Sequence, residues 1–157
     1  MLDLTPFHVA WIAFAGLLHA TIGYLAVAYL TRYSPWWGFL GGILPDIDGV
    51  FLLLGTEFPL VHRGLTHTPI FLAGLLIGLW ILGAWQGILH GVGIGYTLHL
   101  IFDTLSGWGV MWFFPLETVP VHIDWGVNRF VNLVFLVLIA WSLAALMLPK
   151  DRTRAIR

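Results

Sequence analysis

The sequence contains no cysteine among its 157 residues. Disulfides, thiolate metal sites and cysteine nucleophiles are therefore excluded. Charge is scarce as well, at 10% of residues, against roughly 25% in ordinary soluble domains. Seven basic residues and a net charge of −1 cannot build a phosphate-neutralising face, which argues against a nucleic-acid partner. The opening stretch, MLDLTPFHVAW, lacks the basic region of a cleavable signal peptide, so none is expected. No internal repeat or low-complexity segment is present.

What remains is apolar. Hydrophobic residues make up 59% of the chain, and the mean hydropathy is +0.91. This composition implies a single integral membrane domain over residues 1–157, all-α, folded as a polytopic transmembrane helical bundle. A helical span needs about 20 mostly apolar residues. Residues 7–30 form one such segment, followed by a turn in which Arg32 meets headgroups and Trp36 and Trp37 anchor at the interface. Residues 37–54 form a second, broken at Pro45. A polar loop carries Glu57, His62, Arg63 and His67, and Thr68–Pro69 reads as an N-cap with proline at the first helical position. Further spans are expected over 69–85, 88–105 and 130–148, with an irregular aromatic-rich connection over 106–128, giving about five spans in all. A re-entrant segment near Gln86 is the alternative to a full fifth span.

Loop charge orients this arrangement. Arg32, Lys150, Arg152, Arg154 and Arg157 fall on one side, and Arg63 and Arg129 on the other. The richer side is expected to be cytoplasmic, which makes residues 150–157 a basic cytoplasmic tail. Under that topology Asp46, Asp48, His62, His67, His99 and Asp103 gather toward the extracytoplasmic side, and His19 lies midway along the first span.

Each group has a geometric reason. His99 and Asp103 are four apart on a helix and share a face. Asp46 and Asp48, in GGILPDIDGV, are two apart and would diverge on a continuous helix. Pro45 removes a backbone donor, and an unwound backbone there would let both aspartates face the same way, as in a strand. Irregular backbone at membrane depth is tolerated where it lines a cavity. His62 and His67 can both fold back to the site if the loop closes at Gly64. Three buried aspartates would cost about 10 kcal/mol on insertion scales if uncompensated. Arg63 supplies one positive charge, and a divalent ion offsets the rest. Mixed imidazole and carboxylate ligands suit zinc, manganese or iron better than calcium. One ion balances the three carboxylates with Arg63; two leave a positive surplus suited to a phosphoester. Both counts stay open, as does the choice for His19 between ligand and packed histidine. A polar cluster that fixes helix packing, or a proton relay, is the plainer reading of the aspartates.

LPDID, then HRGLTH followed by Thr68, then GYTLHLIFDTLSGWGVMWFFP, in that order, resemble the YdjM-like family of LexA-regulated, membrane-bound, metal-dependent hydrolases. That family's pattern runs roughly LPDIDH, HRGxTHS and GYxxHxxxDxxTxxGVxxxxP. The resemblance covers residues 44–115 and implies Asp46, Asp48, His62, His67, His99 and Asp103 as the metal-site residues. It also sets Arg63 and Thr66 beside them, and an early histidine of the family matches His19. The chain departs from the pattern at Gly49, where histidine is usual, at Thr68 for serine, and at Ser106–Gly107. Asn128 stands where some members carry a glutamate. If that glutamate is a general base, Glu57, Glu117, His122 or Asp124 must substitute.

The reaction these residues imply is metal-assisted hydrolysis of a lipid or lipid-linked phosphoester near the outer face. Arg63 would hold the anionic group, Thr66 would orient it, and Asp48 would serve as base or ligand. A metal or proton transporter, or a non-catalytic metal-binding membrane scaffold, is the alternative.

Overall fold

A computed structural model describes residues 6–49, 63–105 and 109–123, with helical positions 136, 138–140 and 143 beyond them. The chain divides into two compact units, Met1–Asp124 and Trp125–Arg157. Glu57, His62, Asp124, Arg129 and the basic tail lie outside the described residues.

The first unit is helical. Helix α1 covers Pro6–Leu30 and α2 covers Pro35–Ile43, with a 3-10 turn at Pro45–Asp48. A second 3-10 turn, Leu65–His67, precedes α3 (Pro69–Ile81) and α4 (Gln86–Thr104). Among the described residues there is no strand, only an isolated antiparallel bridge between Val110 and Val121. In the second unit the described helical positions fall within the expected last span, and Leu136, Leu138 and Leu143 are exposed.

Local chemistry sets the helix ends. Proline fixes φ and needs no donor partner at a helix start, and Pro35 and Pro69 both occupy that position. Thr68 caps α3 by accepting from the Phe71 N–H at 3.3 Å, as its spacing predicts. Gly83, at φ 77°, ends α3: its N–H donates to Trp80 and the Ala84 N–H reaches back to Leu79 at 2.9 Å. That pairing closes a Schellman turn, which favours glycine. Pro45 ends α2 and the backbone tightens into a 3-10 turn, so the expected break lies there.

These stops make the helices short. At 1.5 Å per residue α2 rises about 14 Å and α3 about 20 Å, against a hydrocarbon core of about 30 Å. Among the described residues one helix is both long and apolar enough to cross a membrane, over Ala13–Leu30, where about five such segments are expected from the sequence.

Helices α1, α2 and α4 meet backbone to backbone. A Cβ added at Gly23 would lie 2.2 Å from the Gly38 carbonyl oxygen, and one at Gly95 would lie 2.1 Å from the same atom. Gly41 abuts the Val92 carbonyl and Gly42 the His19 carbonyl in the same way. Small residues at these crossings permit the van der Waals contact that holds helices together in lipid. Beyond α4, the segment of residues 109–123, closed on itself by the Val110–Val121 bridge, folds back onto its end, with Ile123 N–H donating to Thr104 O and Trp112 Nε1 donating to Thr104 Oγ1. Tyr96, Leu100 and Val110 form the small buried core there.

Gly95→Ala should lower the thermal midpoint in detergent by the equivalent of about 1–3 kcal/mol, the cost of overpacking. Gly74→Ala, whose Cβ meets no described atom within 4 Å, should leave it unchanged or raise it. Equal midpoints for the two variants would mean that the three helices do not need this closeness.

Candidate metal centre

Four elements deliver the polar residues to one place. His19 comes from α1, Asp46 and Asp48 from the turn after Pro45, Arg63, Thr66 and His67 from the loop before α3, and His99 and Asp103 from one face of α4. His67 Nε2 lies 3.1 Å from His99 Nε2. Asp46 Oδ1 stands 3.4 Å from the first and 3.8 Å from the second. Asp103 Oδ2 stands 3.4 Å and 3.3 Å from the same two nitrogens. A tetrahedron of donors about 2.0–2.1 Å from a zinc ion has edges of about 3.3 Å. These five separations bracket that length.

Hydrogen bonds behind the donors fix their orientation. His99 Nδ1 faces the Gly42 carbonyl at 2.8 Å. A carbonyl only accepts, so Nδ1 carries the proton and Nε2 presents its lone pair to the cluster. His67 Nδ1 likewise faces Asp48 Oδ2 at 3.0 Å. A ring nitrogen tied to a carboxylate or carbonyl is the usual support of a metal-bound histidine. Asp48 Oδ2 also accepts from Thr66 Oγ1 at 2.6 Å and from the Arg63 N–H at 2.9 Å. Arg63 has φ 62°, in the left-handed region, and its Nη2 donates to Asp103 Oδ1 at 2.7 Å. The Tyr96 hydroxyl donates to the Thr66 carbonyl and secures the same loop. Burial opposes charge on His67, but its bonds to Asp46 and Asp48 prevail and push its pKa up to about 9.

The donor set fits a divalent cation. Two imidazoles and two carboxylates, with both carboxylates close to both imidazole nitrogens, suit zinc. Two further buried atoms, His19 Nδ1 and Asp46 Oδ2, have no hydrogen-bond partner among the described residues. Left bare, such atoms destabilise a fold.

Of the expected site residues, His19, Asp46, His67, His99 and Asp103 are brought together, and His62 lies outside the described residues. Asp48 is expected beside Asp46 as metal ligand or base. In the 3-10 turn, which rotates about 120° per residue, the two side chains leave the backbone in different directions and meet opposite nitrogens of His67. Asp46 turns to the cluster; Asp48 Oδ2 turns to the loop and orients His67. Thr66, expected to orient a substrate, is buried with its hydroxyl on Asp48, and Arg63, expected on an anion, reaches Asp103. Glu117 and His122 are exposed. Tyr96 and the Gly42 carbonyl are supports that the sequence reading missed. Tyr96 sits three residues before His99 on one helical face, which is the signal that was available.

A family model described as YdjM inner membrane protein matches residues 8–156. The Inner membrane protein YdjM of Escherichia coli (strain K12) is 26% identical over 133 residues, covering 69% of this chain and 67% of that protein. The protein of the same name from Shigella flexneri matches to the same extent. No solved structure matches.

Asp48→Asn should weaken zinc affinity by about 10–100-fold, the usual effect of losing the partner behind a ligating histidine. Competition titration with a chelator measures it, and an unchanged constant would remove Asp48 from this supporting role. A proton on His67 competes with a cation for Nε2, so apparent affinity should climb with pH up to about 9 and fall as the solution is acidified. A flat titration between pH 6 and about 9 would contradict that competition.

Proposed function

The chain belongs to the YdjM family of inner membrane proteins, and on that footing we propose that it is a membrane-embedded, metal-dependent hydrolase of lipid or lipid-linked phosphoesters. The observation that carries this reading is the convergence of four donor atoms at zinc-like spacing, each histidine held from behind. Asp46, His67, His99 and Asp103 would hold the ion, zinc first, manganese or iron next. When bound, the cation supplies Lewis acidity that polarises a scissile bond and acidifies water.

The chain's own residues do the rest. Asp48 keeps His67 in the tautomer that presents Nε2, and Arg63 holds Asp103 at its other oxygen. Arg63 is partly exposed, so its positive charge also lies within reach of an entering anion. A lipid substrate is supported by the segment folded onto Thr104, the residue after Asp103. There Phe113, Leu116 and Val119 are exposed, a surface suited to acyl chains. The proposed arrangement is multi-pass, about five spans with the second broken at Pro45, and the site faces the extracytoplasmic side, from the positive-inside bias of Arg32 and the basic tail.

A second reading has a specific observation in its favour. Four protein ligands close a tetrahedral zinc site, which is the habit of structural rather than catalytic zinc. A non-catalytic metal-binding scaffold would use the same four atoms.

Purified protein in detergent should release product from a lipid phosphomonoester when loaded with zinc or manganese, and lose the activity on chelation. His99→Ala and Asp103→Asn should each reduce turnover by at least about a hundredfold, the scale of an electrostatic catalytic group. Metal-loaded protein inert toward every phosphoester tested would leave the scaffold reading. Ion flux into proteoliposomes with no bond cleaved would instead identify a transporter.

A further inference from the structure

We propose that His19 Nδ1 and Asp46 Oδ2 form the protein half of a second divalent-cation position, filled together with a phosphomonoester-class dianion. This rests on the hydrolase reading above and deepens it. The Asp46 carboxylate is split between two neighbourhoods. Its Oδ1 belongs to the four-donor set, 3.4 Å from His67 Nε2. Its Oδ2 is turned the other way, 4.0 Å from His19 Nδ1. Both of these atoms are buried, and neither has a hydrogen-bond partner among the described residues. The separation is too long for a hydrogen bond and short enough for one cation to span, at about 2.0–2.2 Å from each donor.

A carboxylate with one oxygen in each place is a bridging ligand. Two-metal phosphoesterase sites hold their ions about 3.5–4 Å apart with such bridges. Space is kept on the Oδ2 side by Gly16, one turn before His19 on α1, where a Cβ would lie 2.9 Å from Asp46 Oδ2. His19 Nε2 reaches toward Asp103 Oδ1 at 3.9 Å, so the ring stands between the two carboxylates of the cluster.

Charge decides when this position fills. Asp46, Asp48 and Asp103 bring three negative charges; Arg63 and one divalent ion bring three positive ones. A second ion alone would leave two positive charges in a buried site, a heavy penalty. A dianion entering with it restores neutrality. The four-donor position is also saturated by protein, whereas a position with two protein donors keeps places open for substrate oxygen and water. Substrate and second ion are therefore coupled, each raising the affinity of the other.

Metal counting tests this without reference to turnover. Stripped protein in detergent is dialysed against excess manganese, alone, with inorganic phosphate, or with phosphatidic acid in mixed micelles, and bound metal is measured by elemental analysis. About one ion per chain is expected without phosphate and about two with it, the second giving an exchange-coupled manganese resonance. His19→Asn and, independently, Gly16→Ala should return the count to one in the presence of phosphate while the first ion stays bound. Recruitment at lower concentration by phosphatidic acid than by phosphate assigns a lipid source for the dianion, and the reverse order assigns a free one. A wild-type count that stays at one with both anions overturns the proposal and leaves the four-donor site intact. So does a count of two that neither variant lowers, since His19 and Asp46 would then be joined by no more than a water. A count of zero throughout overturns the four-donor site itself and this proposal with it.

Discussion

Close backbone contact between α2 and α4 is the constraint on which the rest of the site depends. Gly95 lets α4 approach until its missing Cβ would fall 2.8 Å from the Gly42 nitrogen. At that distance the Gly42 carbonyl, left over at the end of α2, can accept from His99 Nδ1, one turn further along α4. The glycines thus perform two tasks with one geometry. They pack helices in a medium that offers no hydrophobic drive for association, and they bring an orphan carbonyl to the histidine whose tautomer it fixes. A side chain at Gly95 would separate α2 from α4 and remove the histidine's support together, whereas one at Gly42 would press on His19 and Ala20 of α1.

The loop between residues 63 and 68 is held by a different means. Asp48, nearly fully buried, gathers donors from Arg63, Thr66 and His67 onto one oxygen. Such a carboxylate is tolerable in a buried place because charged hydrogen bonds replace its water. The same bonds help hold Arg63 in a left-handed conformation, whose strain is of order 1–3 kcal/mol and needs surrounding contacts to persist. From that backbone the guanidinium reaches Asp103 on α4. Loop, turn and helix are cross-tied through two carboxylates, and the imidazole of His67 lies between them.

How much of this was legible in the sequence follows from how local each cause is. The break at Pro45 and the cap at Thr68–Pro69 were readable because one or two residues decide them. The grouping of His19, Asp46, His67, His99 and Asp103 was readable because charge in an apolar chain has few places to go. The direction of Asp48 was not, because it depends on whether the unwound backbone becomes extended or 3-10, a choice made by the packing around Pro45. The end of α3 was not readable either: hydropathy continues past Ile81, but Gly83 ends the helix on backbone grounds. The Gly42 carbonyl was invisible altogether, since every residue has one and only the fold selects which is used.

The manner of holding also bears on what the site is for. A transporter needs two packings of nearly equal free energy, so that helices can rock about a bound ion. Here the donors sit on α2's exit turn and α4, and those helices touch through glycines with no slack for a sliding side chain. His67 is added from a loop pinned by Asp48 and Tyr96. Rigid donors raise affinity by lowering the ordering cost of binding, and they slow release for the same reason. A site built this way would favour keeping an ion; Arg63 is partly exposed, and Phe113, Leu116 and Val119 lie open on the segment folded onto Thr104. Donors fixed in this way fit the proposed hydrolase or scaffold, either of which would keep a metal, better than a transporter, whose cargo must leave.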